Sequence, residues 1–192
     1  TALGHSALTS NTTASNNAAV GYQAGYNNTT GTTNTFIGTL AGYTNSTGRD
    51  ATHIGYGAGK DSTGGYNTLI GAYAGYALTT GISNTFVGPS SAGVATAGGA
   101  MTTGSKNTIL GGYNGNQGGL DIRTSDGYIV LSDGDGNPRG IFDNSGYLVV
   151  GGTTTYGQIT ATKANNNQFV ANATQSGNGV GSGYWFYNQG AS

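Results

Sequence analysis

An aliphatic residue followed by Gly recurs along most of the chain: Leu3-Gly4, Val20-Gly21, Ile37-Gly38, Ile54-Gly55, Ile70-Gly71, Val87-Gly88 and Leu110-Gly111. Successive marker glycines lie 17, 17, 17, 16, 17 and 23 residues apart. Repetition on this scale restricts the fold before local structure is considered, because each unit has to bury its apolar surface against its neighbours. A unit of about 17 residues is too short for two packed helices. It is long enough for one coil of a β-solenoid, made of short strands and turns. The long last interval predicts an insertion around Ala95–Ala100 that protrudes as a loop.

Composition agrees with a β-fold. The 192 residues include 38 Gly and two Pro, and only 7% are charged. An interior Gly costs a helix about 1 kcal/mol relative to Ala, which excludes a helical bundle. Collagen is excluded because Gly does not fall on every third position and Pro is scarce. The formal net charge of −1 leaves no basic stripe for nucleic acid. No apolar run reaches the length of a membrane-spanning helix, so no membrane insertion is expected. Cys is absent, which removes disulfide and thiolate chemistry. Since the chain opens on Thr1 partway through a repeat, it is expected to be a segment of a longer polypeptide or a processed product.

The columns around the marker carry the detail. Four positions before the marker Gly stand Asn17, Asn34, Asn67, Asn84 and Asn107, with Ala51 as the exception. Three before it stand Thr35, Thr52, Thr68, Thr85 and Thr108, which together with the following apolar residues predict a short strand per coil. Val20, Ile37, Ile54, Ile70, Val87 and Leu110 are expected to form the inner ladder of the solenoid. Adjacent strand residues face opposite ways. Phe36, His53, Leu69, Phe86 and Ile109 are therefore expected on the other face, as a ladder at a subunit interface. Gly31, Gly48, Gly64, Gly81 and Gly104 are expected to supply positive φ at turns. A strand apolar on both faces is buried on both. The reading is thus an all-β, parallel β-roll or β-solenoid of about 17-residue coils, followed by small β-meander modules and packed against identical chains, as an intertwined homotrimer by closed cyclic symmetry, with a dimer meeting the same burial argument.

The units at residues 63–71 (Thr-Gly-Gly-Tyr-Asn-Thr-Leu-Ile-Gly) and 80–88 (Thr-Gly-Ile-Ser-Asn-Thr-Phe-Val-Gly) resemble the head repeats of trimeric autotransporter adhesins. They are even more similar to the Asn-Thr-x-Ile-Gly-x-x-Ala-Gly repeats of bacteriophage tail-fibre proteins. The resemblance covers roughly residues 1–116. It implies a homotrimeric, rigid structural and host-attachment segment of a virion tail fibre. Its implied partners are other tail or fibre proteins and a host surface glycan. The alternative is a trimeric adhesin head on a bacterial cell surface.

Residues 1–118 are assigned to the β-roll, 119–156 to a β-meander connector and 157–192 to the start of a further small β module. Beyond the roll, strands are predicted over Leu120–Thr124, Tyr128–Ser132, Gly140–Asp143 and Tyr147–Val150, between turns rich in Asp, Asn and Gly.

Candidate chemistry is sparse. Asp133, Asp135 and Asn137 form a weak calcium candidate, since the loop lacks the Gly and the terminal Glu that a calcium loop requires. A hairpin turn explains the same residues. The carboxylates Asp121, Asp126, Asp133, Asp135 and Asp143 crowd one region without the fixed pairing that glycoside hydrolysis needs. Neither enzymatic activity nor a cofactor is expected. His5 and His53 stand in repeat columns, and His53 is placed near symmetry copies of itself, which would make stability depend on pH. The unbroken column Thr13, Thr30, Thr47, Thr63, Thr80 and Thr103 is better read as stacked hydroxyls than as an ice-binding face. Tyr22, Tyr26, Tyr43, Tyr56, Tyr73, Tyr76 and Tyr113 follow the markers and are expected to cover a coil edge or a subunit seam, with sugar binding as the other reading.

Overall fold

The computed structural model describes residues 1–91, 95–146 and 148–150; the module assigned to 157–192 lies outside them. The marker motifs lie on a series of very short strands: β1 (Ala2–Leu3), β2 (Ala18–Val20), β3 (Thr35–Ile37), β4 (Thr52–Ile54), β5 (Thr68–Ile70) and β6 (Thr85–Val87). The chain continues through β7 (Ser90–Ser91), β8 (Ala95–Thr96), β9 (Thr108–Leu110), β10 (Asn116–Gln117) and β11 (Leu120–Asp121). It ends in β12 (Ile129–Ser132), β13 (Pro138–Phe142) and β14 (Leu148–Val150). One ten-stranded sheet has the order β1-β2-β3-β4-β5-β6-β9-β12-β13-β14. Pairing is parallel from β1 to β12, and the register follows the repeat, with Phe36 opposite His53 and Ile37 opposite Ile54. The chain is therefore a parallel β-solenoid of about seven turns. From β12 onward the pairing becomes antiparallel, so β13 and β14 extend the same sheet.

The two apolar ladders are exchanged relative to the sequence expectation. Ala19, Phe36, His53, Leu69, Phe86 and Ile109 are completely buried inside the coil of their own chain. Val20, Ile37 and Leu110 are instead 37–42% exposed, and Ile54, Ile70 and Val87 are half-buried. Geometry dictates the exchange. Ala41 and Gly42 fold back beneath the strand so closely that a Cβ on Gly42 would lie 2.3 Å from the Phe36 ring. The lumen is one side chain deep above this turn and admits one of the two apolar strand columns. The Asn column shares strand parity with that buried column, and its amides also point inward.

Those amides hold the coils together. Asn34 donates from Nδ2 to the Gly48 carbonyl (2.8 Å) and accepts the Ala51 N–H at Oδ1 (3.0 Å). Asn84 repeats the pattern with Gly104 O (2.9 Å) and Asn107 N–H (2.9 Å). Asn17, Asn34, Asn67, Asn84 and Asn107 are all buried, so each amide satisfies backbone groups that water cannot reach.

The glycines seven positions before the marker Gly are also corrected. Gly31, Gly48, Gly64, Gly81 and Gly104 are not in the positive-φ region. They are required by close approach: a Cβ on Gly31 would lie 2.2 Å from the Gly48 carbonyl oxygen of the next coil. Positive φ occurs at every marker glycine but Gly88, such as Gly38 at 132°, and at non-glycine residues. Asn16, Thr33, Asp50, Tyr66, Ser83 and Lys106 occupy one such column, with φ between 54° and 62°. A β-branched residue is poorly suited to this conformation. Thr33→Asn, which copies the Asn16 solution at an exposed site, is expected to stabilise the fold by about 1 kcal/mol in urea unfolding.

The insertion sits earlier than expected. Ala97 and Gly98 resume the regular Ala-Gly columns, with Gly75 N–H bonded to Ala97 O (2.9 Å). The additional residues go into the antiparallel β7–β8 hairpin.

Two apolar clusters fill the lumen. One contains Ala19, Ala24, Phe36, Ala41 and Ala51; the other runs from Leu69 through Phe86 and Ile109 to Val130. His53 lies between them in sequence, and its ring centroid is 5.4 Å from that of Phe36. Among the described residues, neither ring nitrogen has a hydrogen-bond partner, nor does either side-chain polar atom of Asn45 in the same coil. His53 is thus a core residue of one chain, not an inter-subunit contact.

Candidate functional site

Two outer surfaces stand out among the described residues once the lumen is assigned. The first is the outward face of the long sheet. Leu3, Val20, Ile37, Ile54, Ile70, Val87 and Leu110 continue into Leu131, which pairs with Leu110 across β9 and β12. Parallel strands hold these side chains about 4.8 Å apart, so the aliphatic row extends roughly 34 Å. Half-buried Thr35, Thr52, Thr68, Thr85 and Thr108 flank it on the same face. Ile129, Phe142 and Leu148 are likewise exposed. Contiguous exposed apolar surface of this extent marks an interaction face.

The second surface is the turn that follows each marker glycine. Tyr22, Tyr56 and Tyr73 are 38–48% exposed, and Tyr26, Tyr43 and Tyr76 are half-buried. The rings meet between coils and within one: Tyr26–Tyr43 stack at 5.3 Å and Tyr56–Tyr73 meet edge to face at 5.0 Å across adjacent coils, while Tyr73–Tyr76 meet edge to face at 5.3 Å in a single coil. Lys60 Nζ lies 5.1 Å above the Tyr76 ring and pairs with Asp61 at 2.9 Å. The hydrogen bond to Asp61 raises the Lys60 pKa. Tyr113 departs from the set: it is fully buried and donates its hydroxyl to Leu120 O at 2.9 Å.

The acidic candidates are turn formers and ion-pair partners. Asp133 Oδ1 accepts the N–H groups of Asp135 (3.1 Å) and Asn137 (2.9 Å), while Oδ2 accepts from Arg139 Nε (3.0 Å). The Asn137 N–H and then the Arg139 guanidinium lower the Asp133 pKa to about 2. A calcium ion would have to displace those donors and sit beside a guanidinium, so the weak calcium candidate Asp133, Asp135 and Asn137 is corrected to a hairpin turn. Asp121 is held by Arg123 at 2.8 Å, and Asp126 accepts the Ser105 N–H at 2.7 Å. Among the described residues, no group of three or more His, Cys, Asp or Glu is placed to hold a metal ion.

Fold and surfaces together define a parallel β-solenoid with an apolar sheet face and an aromatic turn face. Comparison of the chain with protein-family models, with curated proteins and with solved structures finds no match.

Proposed function

We propose that the chain is a structural and attachment segment of a homotrimeric fibre, of the kind its repeats resemble in bacteriophage tail fibres. The observation that carries this reading is the aliphatic row on the outer sheet face. A monomer leaves that row in water, whereas three copies packed around an axis bury it. Burial is worth about 25 cal/mol per Å² of apolar surface. Closed cyclic symmetry uses the same patch on every subunit and avoids open-ended growth. The role is mechanical: stacked coils joined across three chains make a stiff rod that carries an attachment tip away from a virion and docks to other fibre proteins. The antiparallel continuation through β12, β13 and β14 favours a fibre over an adhesin head leading into a coiled coil.

Sedimentation equilibrium tests the assembly. The chain is expected to sediment at three times its 19.1 kDa mass. Ile37→Lys combined with Ile70→Lys is expected to release monomers that keep their β circular dichroism, since neither side chain fills the lumen. A monomeric parent chain at tens of micromolar would overturn the proposal.

A further inference from the structure

The inward Asn column is interrupted at Ala51, and the interruption leaves two sets of buried polar groups facing one corner of the lumen. In other coils the column amide has a fixed neighbour across the glycine seven before the marker. A Cβ on Gly31 would meet Asn28 Oδ1 (2.6 Å) and Asn34 Nδ2 (3.1 Å); on Gly81 it would meet Leu78 (2.8 Å) and Asn84 Nδ2 (3.1 Å). At Gly48 the nearest side-chain atoms both belong to Asn45, Nδ2 at 2.8 Å and Oδ1 at 3.0 Å, because Ala51 carries no amide to face it. Asn45 is fully buried, and among the described residues neither polar atom of its side chain has a partner.

The second set lies one coil on. Each column Asn accepts the N–H of the next column residue: Asn17 that of Asn34 (2.8 Å), Asn34 that of Ala51 (3.0 Å), Asn67 that of Asn84 (2.9 Å) and Asn84 that of Asn107 (2.9 Å). Ala51 has nothing with which to accept the Asn67 N–H. Among the described residues no other group accepts it, although Asn67 is fully buried. Buried polar groups are almost always paired with protein or with ordered water. We infer that this corner is a binding site for one ordered water molecule, held between the Asn45 amide and the Asn67 N–H.

The chemistry of the corner selects water. It presents a backbone donor, a side-chain donor and a side-chain acceptor, and water both donates and accepts. The Ser62 hydroxyl, in the column of Asn45 one coil later, adds a third wall; it receives only a long 3.5 Å bond from Asn67 Nδ2. Two to four such partners hold a typical buried water. The amide that Asn carries and Ala lacks takes up roughly the 30 Å³ share of one water. A cation would meet N–H donors and no carboxylate, since the neighbouring Asp50 is exposed and turned to Arg49. His53 is no part of the site: its Nδ1 faces the next turn, where a Cβ on Gly59 would lie 2.5 Å away.

Oxygen-17 magnetic relaxation dispersion provides the test, because it counts waters that stay in a protein longer than the protein takes to tumble. Ala51→Asn restores the missing amide and is expected to lose about one long-lived water per chain. Asn45→Leu, which copies Leu78 in the same column, is expected to lose it as well. Thr33→Asn, at an exposed turn, is expected to keep it. Sedimentation of the same samples fixes the tumbling time, and one chain builds the site, so a monomeric parent would remove the trimer and leave the water site standing. An unchanged count in folded Ala51→Asn or Asn45→Leu would overturn the inference. So would loss of β circular dichroism in Ala51→Asn, which would mean that the corner has no room for an amide or for water.

Discussion

His53→Leu is expected to melt several degrees above the parent chain at pH 7 and to lose most of the parent's sensitivity to mild acid. The parent buries an imidazole completely, with both nitrogens unpartnered among the described residues. Burial disfavours the charged form and lowers the pKa from 6.5 to about 3. The unfolded chain therefore binds a proton that the folded chain refuses. This contribution to stability is intact above pH 6.5 and declines as pH falls towards 3. By linkage the loss at pH 4 is about 3 kcal/mol. Asp133, lowered from 3.8 to about 2, gives up its own contribution only as pH falls from about 4 towards 2, at and below the acid end of this window. Leu fits because Leu69 fills the same column one coil later. At neutral pH the variant also removes two buried polar atoms, worth about 1–3 kcal/mol. Melting curves of both chains between pH 4 and 7 provide the check. Parallel curves would mean that His53 is hydrated or paired in solution, and the lumen as described would be wrong.

The repeat made the coil register readable to the residue. Counting from one marker glycine to the next correctly pairs Ala19 with Phe36, Phe36 with His53 and His53 with Leu69. What it could not give was the absolute face of each column. Alternation states that Phe36 and Ile37 point opposite ways; it does not state which of them points inward. Both columns are apolar, so hydrophobicity does not decide. The Asn column held the answer. Asn34 shares the parity of Phe36, and a buried amide ladder puts both inside. Polar side chains are ordinarily assigned to solvent, which hid that signal. Size variation was a second clue. The column Ala19, Phe36, His53, Leu69, Phe86 is irregular, as a lumen packed against changing partners demands. Val20, Ile37, Ile54, Ile70 and Val87 are nearly uniform, as suits a surface meeting a regular partner.

The glycines failed for a related reason. Gly31 and its equivalents suggested left-handed turns, yet that conformation falls largely on other residues, including Thr33 and Tyr66. A close backbone approach between coils cannot be seen in one coil's sequence, since the clash lies with a residue 17 positions away: Gly31 against Gly48 O. The tyrosines were legible as a set, but not their division. Six line an outer turn, whereas Tyr113 belongs to the core, where Leu120 O accepts its hydroxyl.

Replacing Asn67 is expected to cost more than replacing any other member of the Asn column. Its Nδ2 donates both to Gly81 O at 2.8 Å and to Gly64 O at 3.1 Å, and its Oδ1 accepts the Asn84 N–H at 2.9 Å. The second donation is peculiar to this coil. Elsewhere an Asn reaches the glycine carbonyl of the following coil, as Asn17 reaches Gly31 and Asn34 reaches Gly48. At the position that would serve Gly64 the chain has Ala51, so Asn67 covers the gap. Asn67→Ala strands the buried Gly81 and Gly64 carbonyls and the Asn84 N–H, a loss of about 2–4 kcal/mol. Asn84→Ala is expected to cost less, because Gly81 and Gly64 keep their Asn67 donor. Asn67→Asp preserves shape but turns a carboxylate towards carbonyl oxygens in a fully buried site, and about 3–5 kcal/mol is expected from an unpaired buried charge. Urea unfolding of the three variants gives the order Asp, then Ala at 67, then Ala at 84, from least to most stable. If Asn67→Asp unfolds within about 1 kcal/mol of the parent, the amides do not clamp the coils, and the stiffness proposed for the rod needs another source.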